Sequence, residues 1–210
     1  ESGKWIDSTK SEANRMSKLV NEMLFLARSD AAMDMHYNFR VINFSDVAEE
    51  VVLTTEALAF ERNISLESDI VETSQVVGDF ERLKQVVMIL VENATKYVDE
   101  GGTIQVKLAS GPRRTEILTV TNTGTPIPKD RAEHIFERFY RVDESRVREK
   151  GGYGLGLSIA QKIVEKHNGE ISLAFSDERG TCFAVKLPQA QSLRSPDLTV
   201  LPTEPSSPEK

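Results

Sequence analysis

The chain reads as an α+β domain, a sheet layered with helices, led in by one long helix. Three observations predict this. Apolar residues recur at three- and four-residue steps over 8–29, 45–62, 79–98 and 153–167, the period of amphipathic helices. Runs of alternating apolar and polar residues, bounded by Gly, Pro, Asn and Asp, read as strands at 64–70, 75–77, 103–109, 114–121, 170–176 and 180–187. Helices and strands do not alternate, which argues against a doubly wound parallel sheet.

The elements follow in order. Ala13, Met16, Leu19, Val20, Met23, Leu24 and Ala27 form one stripe of a helix over 8–29, with Ser8 as its cap and a length of about 33 Å. Such a stripe needs a partner, in this chain or another. Residues 30–42 form a connector with an extended piece near Phe39–Asn43. The second helix, Ser45–Arg62, takes Ser45 as N-cap and ends at Asn63. The third, Asp79–Val98, buries Val86, Val87, Leu90, Val91 and Ala94. Gly101-Gly102 leads into two strands joined at Ser110-Gly111-Pro112. The helix Tyr153–His167 stops at Asn168-Gly169, and the last two strands form a hairpin around Asp177. Residues 123–152 are an irregular stretch with one short helix, of the kind that carries function. After Pro188 the Ser/Pro-rich sequence lacks periodicity and reads as a disordered tail over 189–210.

Composition narrows the function. A net charge of −7 with no basic run argues against a broad nucleic-acid surface, though not against a local phosphate pocket. The single cysteine, Cys182, cannot form an internal disulfide and sits in an alternating run as a small buried hydrophobe. No segment has the roughly 20 apolar residues of a membrane span. His36, His134 and His167 are scattered, read as surface residues, and have no catalytic or metal-ligand spacing.

Four motifs carry chemistry. In Glu92-Asn93-Ala94-Thr95-Lys96-Tyr97 the buried helix turns polar: Asn93, Lys96 and Tyr97 (i, i+3, i+4) share one face. An amide oxygen and a carboxylate there suit a hard cation, and a lysine suits phosphate. Gly151-Gly152-Tyr153-Gly154-Leu155-Gly156-Leu157 opens straight into a helix, where free amides meet phosphate. It is not a P-loop, because no Lys-Ser or Lys-Thr follows. Asn122-Thr123-Gly124 ends a strand, offering a side-chain amide for a purine edge, close approach at Gly124 and an apolar wall at Ile127. Ile135-Phe136-Glu137-Arg138-Phe139-Tyr140-Arg141 sets three aromatics among charges and reads either as a core-plugging helix or as a latch presenting Arg141.

In order and spacing these motifs resemble the ATP-binding domain of two-component sensor histidine kinases, of the Bergerat fold shared with gyrase and MutL ATPases. Glu92–Tyr97 looks like the N box, Asn122–Gly124 the first glycine box, Ile135–Arg141 the F box, Gly152–Leu157 the second glycine box and Gly180-Thr181 the third. The match covers about 40–188. Residues 8–29, ending in Phe25-Leu26-Ala27-Arg28, resemble the second helix of the family's dimerisation and histidine-phosphotransfer domain.

The resemblance implies a two-layer α/β sandwich, a mixed sheet with helices on one face. It implies a division into a dimerisation helix (1–32), a connector (33–43), the catalytic domain (44–188) and the tail. Its cofactors are ATP and Mg2+. Asn93 is the implied metal ligand, and Lys96 and Arg141 meet phosphates. Tyr97, Asn122, Gly124, Ile127, Gly152, Gly154, Leu155, Gly156, Leu157 and Thr181 complete the nucleotide site, beneath a lid over roughly 125–150. Glu92, Lys96 and Arg141 are the implied catalytic groups. The implied partners are the phosphotransfer domain of the same kinase, a response regulator and a second copy in a homodimer. The implied setting is the cytoplasmic part of a membrane-anchored sensor. Rival readings are a non-catalytic nucleotide-binding or dimerisation module and a stand-alone ATPase using Glu92 to activate water.

Three positions depart from the family pattern: Asn122 where Asp is usual, Pro126 for a glycine, and Ile89 where Asn often stands four residues before Asn93. Asn122 keeps an oxygen acceptor while losing the charge, at a cost of about 1 kcal/mol in affinity. The family's acceptor histidine lies on the helix before 8–29, and His36 does not fit it. Self-phosphorylation of this chain is therefore not expected.

Overall fold

A computed structural model describes residues 2–31, 36–141 and 153–190. The expected disordered tail from 191 onward, Gly152, and the 142–150 part of the expected lid lie outside the described residues. Helix α1 (Ser2–Asp30) is followed by strand β1 (Arg40–Asn43), helix α2 (Phe44–Glu61) and strands β2 (Ser65–Ile70) and β3 (Gln75–Gly78). Then come helix α3 (Phe80–Tyr97), strands β4 (Thr103–Gly111) and β5 (Thr115–Asn122), and the short helix α4 (Lys129–Ala132). Helix α5 (Gly156–Lys166) and strands β6 (Glu170–Asp177) and β7 (Gly180–Pro188) complete the fold.

The main sheet has the order β2-β4-β5-β7-β6 and is mixed: β2 runs parallel to β4, and the remaining neighbours are antiparallel. Strands β1 and β3 form a separate antiparallel ribbon. Alternation along the strands decides which sheet face is covered. Ile104, Val106 and Leu108 of β4, with Leu118 and Val120 of β5, are buried, while Gln105 and Lys107 point to solvent. Helices α2, α3 and α5 cover that inner face. On α3 the buried stripe is Leu83, Val86, Val87, Leu90, Val91 and Ala94, so the opposite side of the helix is left for polar residues.

Several local expectations are corrected. Helix α1 begins at Ser2, before Ser8. The cap of α2 is Asn43: its Oδ1 accepts from the Ser45 and Ser74 amides, while Ser45 Oγ donates to the Val71 carbonyl at 2.6 Å. The β4–β5 turn is Pro112-Arg113-Arg114, not Ser-Gly-Pro, with both arginines at positive φ (56° and 57°). Helix α5 starts at Gly156 because Gly154, at φ 73°, cannot be helical. Asp177 pairs with Gly180, leaving Glu178-Arg179 as the hairpin tip. Order continues past Pro188, where the Gln189 and Ala190 amides donate to the Arg114 and Gln75 carbonyls.

His167 is not a surface residue: it is 2% exposed. Its Nδ1–H donates to the Ile163 carbonyl (2.7 Å), and its Nε2 accepts the Asp79 amide (3.0 Å). Asp79 caps α3, its Oδ1 accepting from the Arg82 amide and its Oδ2 from the Asn38 amide. Burial opposes the charge of Asp79, but these amide donors and Arg82 outweigh it and hold the carboxyl below its ordinary range. The His167–Asp79 pair therefore joins the connector, the start of α3 and the end of α5. It sets the two helices whose other ends meet at the site.

Candidate functional site

Those ends enclose a cavity of about 590 Å3, within the range of small-molecule sites. Helix α3 contributes Glu92, Asn93, Lys96 and Tyr97 on one wall, as the i, i+3, i+4 spacing requires. The end of β5 contributes Asn122, and the loop after it Ile127. Arg141 closes another side, Gly154, Gly156 and Leu157 stand at the α5 entrance, and Thr181 comes from β7. The sheet and two helix ends thus bring together four motifs spread over residues 92–157, with Thr181 added from β7.

Two expected residues do not face the cavity. Leu155 is 1% exposed and packs into the core as the residue before α5. Gly124 stands behind the wall: at φ 145°, an added Cβ would lie 2.3 Å from the Tyr97 carbonyl oxygen. Its lack of a side chain lets the β5 end close on the last turn of α3. Gly154 plays a similar part, since its added Cβ would meet the backbone of Phe139 and Tyr140 at 2.8 Å, and its carbonyl accepts the Phe139 amide. This contact joins the F-box segment to the glycine loop.

Hydrogen bonding orients the Asn122 side chain. Asn122 Nδ2 donates to the Thr123 carbonyl at 2.9 Å, leaving Oδ1 as the acceptor the site can offer. A second chain runs from the Ile127 amide to Ser176 Oγ (2.8 Å) and on to Thr181 Oγ1 (2.7 Å). It holds the apolar wall against β6 and β7.

Electrostatics point to an anion. Burial pushes the Lys96 ammonium below its ordinary value, and Lys18 and Arg141 act in the same direction against Glu92 and Glu22. Lys18 Nζ lies 3.3 Å from Glu92 Oε2, and burial raises Glu22. Among the described residues no group of three His, Cys, Asp or Glu side chains stands ready to hold a metal. One amide oxygen at Asn93 fits an ion that keeps oxygen ligands from a polyphosphate, the usual manner of Mg2+.

Sequence reasoning missed several lining residues. Gln85 and Met88 lie before Asn93 on the polar side of α3, a spacing that could have flagged them, and Ile89, noted above as a departure from the family pattern, also lines the cavity. Tyr140 and Tyr153 sit inside the F-box and glycine-loop motifs but were not expected as lining, and Phe183 of β7 carries no local signal. Arg15, Lys18 and Glu22 come from α1, and only the tertiary fold places them here. The F-box expectation resolves partly: Ile135 is buried while Phe139 is exposed at φ 63°. Cys182 is buried, and burial raises its thiol pKa.

Known proteins resemble this chain in sequence and fold. Residues 78–191 match the family described as histidine kinase-, DNA gyrase B-, and HSP90-like ATPase. The chain is 37% identical over 182 residues to the sensor histidine kinase YkoH of Bacillus subtilis, covering 86% of this chain and 38% of YkoH. It is 37% identical over 181 residues to the sensor histidine kinase CusS of Escherichia coli K12, covering 86% of this chain and 37% of CusS. It therefore spans under two fifths of the length of these relatives. Among solved structures, histidine kinase ThkA in complex with the response regulator TrrA superposes with a TM-score of 0.70 at 28% identity, covering 89% of this chain and 51% of that one. With the α3 polar face and the glycine-lined α5 entrance on one cavity, this chain belongs to the histidine kinase-type ATPase family, as an ATPase domain of the sensor histidine kinases.

Proposed function

We propose that the chain transfers the γ-phosphoryl of Mg-ATP to a histidine outside residues 1–210. The observation that carries this reading is the cavity shared by Asn93, Lys96, Arg141 and the α5 entrance. The adenine amino group donates to Asn122 Oδ1, and Ile127 packs on the base. Lys96, Arg141 and the amides from Gly154 to Leu157 meet the phosphates. Asn93 would supply one oxygen to a bound Mg2+, which would offset the negative charge of the phosphates. A neutral imidazole nitrogen of the acceptor forms the N–P bond as the bond from the γ-phosphorus to the β–γ bridging oxygen breaks, and ADP leaves. Lys96 and Arg141 act by position and charge, as a loose phosphoryl-transfer transition state demands. Glu92, next to Asn93 on the cavity wall, orients the acceptor imidazole in this reading.

In this reading α1 is the second helix of a phosphotransfer and dimerisation domain, 33–43 the connector and 44–188 the catalytic domain. Met16, Val20, Met23 and Leu24 leave an apolar stripe exposed on α1, which supports two-fold association in a four-helix bundle. A response regulator receives the phosphoryl group afterwards, as the ThkA–TrrA complex suggests by analogy. Within the described residues no helix is long and apolar enough to cross a membrane, so membrane anchoring would come from other parts of the protein.

The test mixes the chain with a separately produced phosphotransfer domain and ATP labelled at the γ position. Label on the acceptor histidine, lost in Asn93→Ala, is expected. Nucleotide binding with no transfer would leave only a binding module, and steady phosphate release without an acceptor would indicate an ATPase. Isothermal titration of Asn93→Ala should show metal-dependent binding gone; unchanged Mg-ATP affinity would remove Asn93 from its role.

A further inference from the structure

We propose that α1 is a wall of the nucleotide site, with Lys18 binding the terminal phosphate beside Lys96 and Arg141. This rests on the nucleotide reading above and adds residues far from the ATPase motifs. Arg15, Lys18 and Glu22 (i, i+3, i+7) lie along one side of α1 and line the same cavity as Asn93.

Charge is the first argument. The cavity lining holds four cations, Arg15, Lys18, Lys96 and Arg141, against two acids, Glu22 and Glu92. The chain as a whole carries −7, so this local positive excess runs against the protein's overall field. Half of the four cations come from α1.

Position is the second. The Lys18 ammonium is 3.3 Å from Glu92, the residue next to Asn93, and keeps a side-chain exposure of 60%. It can exchange a carboxylate oxygen for a phosphate oxygen by rotating its flexible stem, without moving the helix. Its field already depresses the Lys96 pKa, so the two ammonium groups share one electrostatic environment. Arg15 lies over the Tyr153 ring at 5.6 Å, beside Gly154, and fixes α1 at the glycine loop. At the C-terminal end of α1, Arg138 pairs in a bidentate manner with Asp30 (2.6 Å for both bonds), a second tie between the helix and the ATPase domain outside the cavity lining.

The consequence is linkage. A polyphosphate gripped by α1 and α3 together holds α1 against the catalytic domain, and a docked α1 raises nucleotide affinity by the same factor. Nucleotide occupancy is thereby coupled to the helix that leads out of the domain.

The experiment is isothermal titration of the 1–210 chain with Mg-ATP, Mg-ADP and AMP, for the unaltered protein, Lys18→Met and Lys18→Arg. Lys18→Met should weaken ATP about fivefold, the loss of one charge-assisted contact, ADP less and AMP not at all; Lys18→Arg should retain most of the affinity. A structural role would lower all three affinities alike. An equal loss for AMP and ATP, or no loss for ATP, overturns the proposal while leaving the nucleotide reading intact. Failure of the unaltered chain to bind any of the three removes both. Thermal melting of each variant checks that the fold persists, and Arg15→Leu, expected to lower ATP affinity in the same phosphate-graded order, is a second variant that tests the wall independently.

Discussion

Replacing Gly124 by alanine separates the closure of the site from simple backbone strain. At φ 145° the residue occupies a region open essentially to glycine, at a cost of about 1–3 kcal/mol for any other residue. The added Cβ would lie 2.3 Å from the Tyr97 carbonyl oxygen and 3.4 Å from Asn122 Nδ2. Carbon and oxygen rest about 3.3 Å apart, so the β5 end and the last turn of α3 must separate by about 1 Å. Neither neighbour is a flexible side-chain tip. Strain and displacement together set the cost at about 3 kcal/mol, or a melting temperature lower by about 6–12 °C for a domain of this size.

Gly101→Ala is the control. Gly101 also has positive φ (71°), yet its added Cβ would find nothing nearer than Asn63 Nδ2 at 3.8 Å. It should lose about 1 kcal/mol, or 2–4 °C, from backbone strain alone. Nucleotide affinity separates them further, because only Gly124→Ala moves Asn122 away from Asn93 and Lys96. A loss of at least about tenfold is expected for Gly124→Ala and none for Gly101→Ala. Equal small melting shifts in the two variants, with Mg-ATP affinity unchanged in both, would refute the close β5–α3 approach as the device that shapes the site.

Two further predictions concern pH. Burial holds the His167 pKa below 6.5, although the Ile163 carbonyl and Asp79 act in the other direction. The stability linked to this ring is therefore complete above 6.5 and is lost as pH falls through the folded-state value, when a protonated Nε2 can no longer accept the Asp79 amide. Urea midpoints from neutral to acid pH should show a shallower decline in His167→Gln than in the parent; coincident slopes would discount the latch. Lys96 titrates below 10.5, chiefly through burial. Mg-ATP affinity should therefore weaken with rising pH before the ordinary lysine range, and Lys96→Met should lack that alkaline limb. An identical alkaline profile in the variant would take Lys96 off the phosphates.

How much of this was legible beforehand varies by the range of the interaction. Periodicity located α2, α3, α5 and strands β2 to β7 to within a few residues, because burying one face of an element is a local constraint on spacing, whereas the short α4 and β1 carried no such pattern. The misplaced details are tertiary. Asn43 displaces Ser45 as a cap because Ser45 is drawn to the Val71 carbonyl, and two arginines carry a turn expected at glycine. His167 looked like a solvated helix end until the Asp79 amide came to it from 88 residues away.

By itself the sequence determined the class of fold, the polar face of α3, the glycine-lined helix entrance and, through their order, the sensor-kinase resemblance. Only the folded chain decided that Leu155 faces the core and that Gly124 spaces two backbones. The same holds for the entry of Arg15, Lys18 and Glu22 of α1 into the cavity. The physical reason is common to all three. A residue's type and spacing report the face of its own element, whereas what that face meets depends on elements distant in sequence and on the crossing of helices over the sheet.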